Sequence, residues 1–486
     1  MNILFIMCDS LPPQLLSMNG GPAGSSPNLD RLARRGVVFD RAYCNSPLCA
    51  PARASMVTGR YVSEIGAFDN ASQFSSEWPT IGHAMRGAGH EPTIIGKMHF
   101  IGHDQSHGFE RLAHEADYTT GYNARDYKMA YSWEQPPRGN PCGDDWMAPS
   151  YVDLPEWYHY PRHYDYDERT HREALAWLGD KGPQSSPFFA CVSYHAPHNP
   201  FWIPEEFRAR LRGADLPLPH IPEGVETCHG PMDEWLNKFH YVDEYRERLM
   251  SEDNLRWLYE TFYGMLYHFD QQVGELLSTL ETCGLSENTA VVFAADHGDM
   301  LAHRGMVQKR YFYERSVRLP LIFSFPGHWR EGARVSTPVS LIDLFPTFAE
   351  MASVPVPDDL PGVSLMPSVV GTKELPDRTI FCEYHGEGVH APCFMCVRGH
   401  YKYIYVHGHE ERLYDLEDDP DEFRNLLCRD KGVPTQRVEA IAASMKQSIL
   451  ERFDPDAVAD AAVQSQRNRG FIYKCVEGNR APMSSV

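Results

Sequence analysis

Ser46-Pro47-Leu48-Cys49-Ala50-Pro51-Ala52-Arg53-Ala54-Ser55-Met56-Val57-Thr58-Gly59-Arg60 sets a cysteine two positions before a proline and four before an arginine, and then runs into small residues. The run reads as a helix that starts near residue 52, because alanine is the best helix former and proline suits a first turn. A helix start favours an anion beside it. The plain alternative for Cys49 is a buried thiol in a proline-containing turn.

Working outward, Met1-Asn2-Ile3-Leu4-Phe5-Ile6-Met7-Cys8-Asp9 is apolar and ends on an acid. It is far shorter than the roughly 20 residues that span a bilayer. It also lacks the basic start and small-residue cleavage site of an export signal. It reads as a first buried strand, and the expected location of the chain is the cytoplasm. The twelve cysteines are then expected as reduced thiols. Cys393 and Cys396 form a Cys-x-x-Cys pair, but no second pair has matching spacing, and Pro392-Cys393-Phe394-Met395-Cys396-Val397 reads as a strand.

At 486 residues the chain is expected to form more than one domain. Apolar runs at 2–8, 187–194, 289–295 and 320–325 alternate with helical patterns at 28–35, 81–88, 256–282 and 341–352. That alternation predicts an α/β fold with a large, mostly parallel sheet. Ligands of such sheets bind beyond the carboxyl ends of strands. Asp9, Asp296 and the pair His195 and His198 all follow strand runs, which is more polar chemistry than packing requires. Residues 353–378 are rich in proline, glycine and aspartate and read as a linker. Beyond them, 381–384, 401–406 and 412–416 read as short antiparallel strands, followed by a helix at about 434–453 and a polar tail. The expected division is a catalytic domain over 1–370 and a smaller α+β domain over 371–486. Residues 100–185, with Trp133, Trp146, Trp157, Tyr158 and Tyr160, read either as a cover over a site or as a packed surface layer.

The formal net charge of −21 argues against a nucleic-acid or anionic-membrane partner, since both call for a basic face. An anionic substrate in such a chain needs positive charge concentrated where it binds.

Further motifs follow in order: Gly96-Lys97-Met98-His99-Phe100, Tyr194-His195-Ala196-Pro197-His198-Asn199-Pro200, Ala295-Asp296-His297-Gly298-Asp299-Met300, and Lys309 ahead of Tyr313-Glu314-Arg315-Ser316. A lone histidine or lysine is usually an ordinary polar residue; the ordered set is not. Together with Cys49, Pro51 and Arg53 the set resembles the type I, formylglycine-dependent sulfatases. The resemblance implies an alkaline-phosphatase-like α/β/α sandwich and hydrolysis of a sulfate monoester. It implies that Cys49 is oxidised to formylglycine by a formylglycine-generating enzyme that reads Pro51 and Arg53. One hydroxyl of the aldehyde hydrate attacks sulfur, and the other expels sulfate afterwards. Asp9, Asp296, His297 and the modified Cys49 would hold one divalent cation. Lys97, Lys309 and Arg53 would add positive charge. His99 would deprotonate the hydrate or assist sulfate elimination, and His198 would touch sulfate and protonate the leaving oxygen. Many relatives carry a second acidic or amide residue after the first aspartate, where this chain has Ser10. The resemblance puts calcium first as the ion; the imidazole of His297 moves the preference towards manganese.

The resemblance is strongest to the choline-sulfatase branch, through Pro47-Leu48-Cys49-Ala50-Pro51, Asp69-Asn70, Gly298-Asp299-Met300-Leu301 and Glu383-Tyr384-His385-Gly386-Glu387-Gly388. A quaternary ammonium requires aromatic faces or a carboxylate. Glu383 or Glu387 would supply the carboxylate, and Tyr118 and Tyr122 the faces. Ala124 stands near where the branch has a tryptophan, so Trp133 or Trp146 would replace that ring, or the substrate is an aryl or sugar sulfate. Gln466-Arg467-Asn468-Arg469 is similar to the branch's basic tail and implies a homodimer or homotetramer. The rival readings are a phosphonate or phosphate ester hydrolase of the same superfamily and a non-catalytic anion-binding homologue.

Overall fold

A computed structural model describes residues 1–113, 151–152, 162–219, 221–224, 229–428 and 434–477. Among them the strands are, in chain order, β1 (Asn2–Cys8), β2 (Val37–Phe39), β3 (Ala42–Tyr43), β4 (Glu91–Gly96), β5 (Glu110–Leu112), β6 (Phe188–Ser193), β7 (Thr289–Ala295), β8 (Arg318–Leu319), β9 (Leu321–Ser324), β10 (Ala333–Val335), β11 (Val339–Ser340), β12 (Ile380–Tyr384), β13 (Cys393–Arg398), β14 (Tyr401–Val406) and β15 (Glu410–Asp415). An eight-stranded sheet has the order β10-β2-β9-β7-β1-β6-β4-β5, beside a three-stranded sheet β11-β3-β8 and a four-stranded sheet β12-β13-β14-β15.

The large sheet is mostly parallel, as the alternating pattern predicts. β7, β1, β6, β4 and β5 all run one way. β9 runs against both β7 and β2. The chain leaves β7 at the top of the sheet and returns beside it, with no crossover helix to turn it round. β1 and β7 are buried along their whole length, which is why their sequences are unbroken apolar runs rather than alternations. On one face the Phe348 ring, from the helix Leu344–Met351, packs against Phe5 at 5.3 Å and Phe189 at 5.0 Å. On the other, Phe269 from the long helix Glu252–Thr282 lies 6.0 Å from Phe293 and 5.4 Å from Tyr194. Each such ring, taken out of water, is worth about 1.5–3 kcal/mol. The helix Cys49–Thr58 packs with Leu344–Met351. The helices Pro27–Arg34 and Arg162–Gly179 pack with Glu252–Thr282.

Two local expectations change, and one strand, β4, has no counterpart among the expected ones. The helix begins at Cys49 rather than near residue 52, so Pro51 sits in its first turn, where it interrupts no intrahelical bond. β4 lies inside the sheet although Glu91 and Pro92 break its apolar run; both stand at the strand's start, where a missing donor is tolerated. The expected polar tail is instead a helix, Pro455–Glu477. Proline opens it, Val458 and Ala462 are buried, and Arg469 is buried against Asp69 in a two-pronged ion pair of 2.9 and 2.8 Å. Few apolar positions hold this helix, so its periodicity is faint.

The small sheet is antiparallel throughout, with Cys393 and Cys396 buried as free thiols in β13. Its outer face is covered by the helix Gln436–Arg452 through Ala442, Met445 and Ile449. One face of it, through Cys382, Met395, Val397 and Ile404, shares the apolar core of the large sheet, and a buried ionic cluster reinforces the join. Lys402, fully buried on β14, lies 2.8 Å from Glu314 and 2.8 Å from Glu422 and donates to the Phe312 carbonyl at 2.9 Å. Removing one member of such a cluster strands the others without water or partner. Lys402→Met should therefore lower stability by about 3–5 kcal/mol in urea unfolding monitored by fluorescence. A loss below about 1 kcal/mol would contradict that role.

Candidate active site

Four neighbouring parallel strands, in the order β7-β1-β6-β4, end at one level. Cys8 pairs with Ala295, Met7 with Ser193, and Gly96 with Ser193. The residues that follow these ends are Asp296 and His297, Asp9, the His195–His198 turn, and Lys97 with His99. Two glycines make the crowding possible. A Cβ on Gly298 would lie 2.0 Å from the Arg315 carbonyl oxygen, and one on Gly96 (φ 97°) 2.2 Å from that of Ser193. Ser10 (φ 64°) and His99 (φ 57°) adopt the left-handed region without being glycine, which turns the chain sharply at the strand ends.

Arg53, fully buried, sits beneath the site. Its Nε donates to Asp296 Oδ2 at 2.8 Å, its Nη2 to Asp9 Oδ2 at 3.1 Å, and its Nη1 to the Lys97 carbonyl and to Ser193 Oγ, both at 2.9 Å. Lys97 Nζ lies 3.0 Å from Asp9 Oδ2. Burial works against the ionised form of Asp9, but Lys97, Arg53 and His297 outweigh it and hold the carboxyl well below the usual carboxylate range.

The other side of the same carboxylates faces Cys49. Ligand atoms of Asp9, Cys49, Asp296 and His297 all lie within 4.8 Å of one another, and all four residues are buried. His297 Nδ1 donates to the Gly298 carbonyl at 2.8 Å, which turns Nε2 towards Cys49 Sγ at 3.3 Å. Burial alone would lower the imidazole's pKa, but Asp296, Cys49 and Asp9 raise it to about 9. The cluster thus favours positive charge at its centre. Two carboxylates, an imidazole nitrogen and residue 49 are a donor set that fits a divalent cation. Ser10 adds no carboxylate; its hydroxyl donates to Asp9 Oδ1 at 2.8 Å.

Across from Cys49, Lys309 Nζ donates to His198 Nε2 at 2.5 Å. His198 Nδ1 donates to the Asn199 carbonyl. Burial first, and then the Lys309 ammonium, hold His198 well below its ordinary pKa, so it stands neutral with Nε2 as an acceptor. His195 faces Asp167, whose carboxylate accepts the His195 N–H at 2.7 Å and the Ala196 N–H at 2.8 Å. Asp167 and Ser193 were not singled out in the sequence; one lies in a charged helix and the other ends an apolar strand, and neither pattern marks a site.

The remaining expected residues fall elsewhere. Glu383 accepts the Ser63 N–H at 2.7 Å and pairs with His385 at 2.8 Å. Glu387 accepts the Asn70 N–H at 3.2 Å and binds the Arg310 guanidinium. Both are buried and committed to partners within the protein, tying the small sheet to the segment behind Cys49. Tyr118 and Tyr122, with Trp133, Trp146, Trp157, Tyr158 and Tyr160, lie outside the described residues.

Two carboxylates, an imidazole and a thiol, all buried beyond the carboxyl ends of a mostly parallel sheet, form a cluster that could hold a metal ion. The family profile described as Sulfatase matches residues 1–354, so the chain belongs to the sulfatase family and is a sulfuric ester hydrolase. A second profile, N-sulphoglucosamine sulphohydrolase, C-terminal, matches residues 302–453. A choline-sulfatase of Rhizobium meliloti is 31% identical over 98% of this chain and 91% of its own. An arylsulfatase K of Xenopus laevis is 28% identical over 87% and 78%. Among solved structures, the phosphonate monoester hydrolase of Agrobacterium radiobacter shares the fold, with a TM-score of 0.72 at 22% identity over 93% of this chain and 95% of that one. Among the described residues no helix is long and apolar enough to cross a membrane.

If the four-residue cluster holds a divalent ion, adding that ion to chelator-treated protein should raise the thermal midpoint, with a stabilisation of about 2.7 kcal/mol at a hundredfold excess over its dissociation constant. His297→Ala should remove the shift. An undiminished shift in that variant would place the ion elsewhere.

Proposed function

We propose that the chain hydrolyses a small sulfate monoester through formylglycine made from Cys49 by a formylglycine-generating enzyme. The observation that carries this reading is the position of Cys49 Sγ, 3.3 Å from His297 Nε2 and 3.8 Å from Asp9 Oδ1, at the start of a helix. The thiol stands where the oxygens of the hydrated aldehyde would be, and that hydrate supplies both the nucleophile and the hydroxyl that later expels sulfate. Asp9, Asp296, His297 and residue 49 would hold a divalent metal, Ca2+ first and Mn2+ next, which would supply charge to the sulfate oxygens and lower the pKa of the nucleophile.

The chain's own residues do the rest. Arg53 fixes each carboxylate by its Oδ2 and leaves Asp9 Oδ1 facing residue 49. Lys97 and Lys309 concentrate positive charge in a water-poor pocket, where it acts strongly on a developing anion. The proton for the departing oxygen is held between Lys309 Nζ and His198 Nε2. His99, buried at the end of β4, takes the proton of the hydrate or assists elimination of sulfate.

For the alcohol, choline is the first candidate, because the Rhizobium meliloti relative is a choline-sulfatase. A phenol is the second, on the likeness to arylsulfatase K. With Glu383 and Glu387 engaged by internal partners, aromatic faces at Tyr118 and Tyr122 are left to meet an ammonium. Assembly as a homodimer or homotetramer would cover Phe471, which is 69% exposed on the last helix.

The test has two parts. Mass spectrometry of the peptide containing residue 49 should show an aldehyde in place of the thiol-bearing carbon, and Cys49→Ala should reduce turnover by at least about a thousandfold while the melting temperature holds. Unmodified cysteine in a fully active sample would sink the formylglycine reading. Rates on choline O-sulfate, an aryl sulfate and a phenyl phosphonate monoester then separate the alcohols and the anion; no turnover of choline O-sulfate ends the choline reading.

A further inference from the structure

Lys309 lies between two residues that are not glycine and yet have left-handed backbone, Gln308 (φ 70°) and Arg310 (φ 89°). Such a run persists only where its surroundings hold it. Arg310 donates its N–H to the Pro47 carbonyl at 3.0 Å, and its side chain meets Glu387. The Gln308 carbonyl accepts the Met300 N–H at 2.8 Å, and the Gln308 N–H donates to Tyr151 Oη at 3.1 Å. Tyr151 Oη in turn donates to Asp299 Oδ2 at 2.5 Å, and Asp299 Oδ1 accepts the Leu301 N–H at 2.9 Å.

Tyr151 is fully buried, with its ring edge-on to Phe201 at 4.9 Å and its carbonyl accepting Asn254 Nδ2 at 3.0 Å. A phenylalanine would fill the same space and keep those contacts. The hydroxyl is needed only to join the Gln308 N–H to the Asp299 carboxylate. That join links the Asp296-His297-Gly298-Asp299 turn, which carries two of the cluster residues, to the strained segment that carries Lys309.

We propose that Tyr151 is a positioning residue for sulfate ester hydrolysis: its hydroxyl fixes the backbone beside Lys309, and so holds Lys309 Nζ against His198 and the face of residue 49. This rests on the reading that Lys309 acts on the sulfate ester. The test is a double-mutant cycle in the matured enzyme with para-nitrophenyl sulfate, with folding checked by near-ultraviolet circular dichroism. Lys309→Ala should lower kcat/KM by roughly a hundredfold or more. Tyr151→Phe should lower it about ten- to a hundredfold, mostly in kcat. In the Lys309→Ala background, Tyr151→Phe should cost less than about twofold, because its effect passes through a side chain already gone. If Tyr151→Phe changes nothing, or costs the same factor with and without Lys309, the positioning role is overturned while the role of Lys309 stands. If Lys309→Ala itself is harmless, both fail together. Should Tyr151→Phe not fold, Asp299→Asn breaks the same clamp and is put through the same cycle, with the same two outcomes.

Discussion

One guanidinium organises this molecule. Arg53 touches Asp9 after β1, Asp296 after β7, the Lys97 carbonyl after β4, and Ser193 at the end of β6. These are the carboxyl ends of the four strands that run side by side in the middle of the large sheet. Two carboxylates wholly out of water at adjacent strand ends are untenable without a cation, and an uncompensated buried charge costs several kcal/mol. A lysine would supply the charge but not the directions. The planar fork of arginine reaches four partners at once, and the pattern of bonds fixes the level at which the strands stop. The constraint therefore joins the fold to the site: the contact that aligns the sheet also holds the carboxylates of Asp9 and Asp296 in place.

The same arrangement answers the question set by the chain's charge. A protein of net charge −21 repels an anionic substrate over most of its surface. Arg53, Lys97 and Lys309 gather positive charge in one buried region, against the carboxylates that keep it there. Salt screens such buried charges far less than surface ones. Attraction is thus a property of the pocket's interior rather than of the protein's outer field.

The parts legible in the sequence share a physical cause. β1, β6 and β7 are covered on both faces, so each is written as an unbroken apolar run ending in a polar residue. Asp9, Asp296, His195 and His198 could be placed at strand ends from that pattern, and Cys49 and Arg53 from their spacing. What could not be read depends on partners distant in sequence. β4 is shielded by its neighbours despite Pro92. The last helix is held by an arginine some 400 positions from its aspartate. Asp167 matters through two backbone N–H groups. Glu383 and Glu387 stood out in the sequence as carboxylates suited to a cationic ligand, but Ser63, Asn70 and Arg310 fold round to claim them. Local pattern reports which faces are covered; it does not report who meets whom.

Cys49, Pro51 and Arg53 are sealed in the folded protein, with Cys49 only 2% exposed and Arg53 not at all. A second protein that must grip this pentapeptide, as the proposed oxidation of Cys49 demands, has no purchase on the finished molecule. It has to act while the segment is still extended, before β7 is added beside β1 and Asp296 closes on Arg53. Residue 49 and residue 296 are far apart in the order of synthesis, so the growing chain itself provides the interval. Maturation and folding are then rivals in time. Any change that speeds closure of the sheet would leave more molecules locked with an unconverted thiol, correctly folded and without their nucleophile.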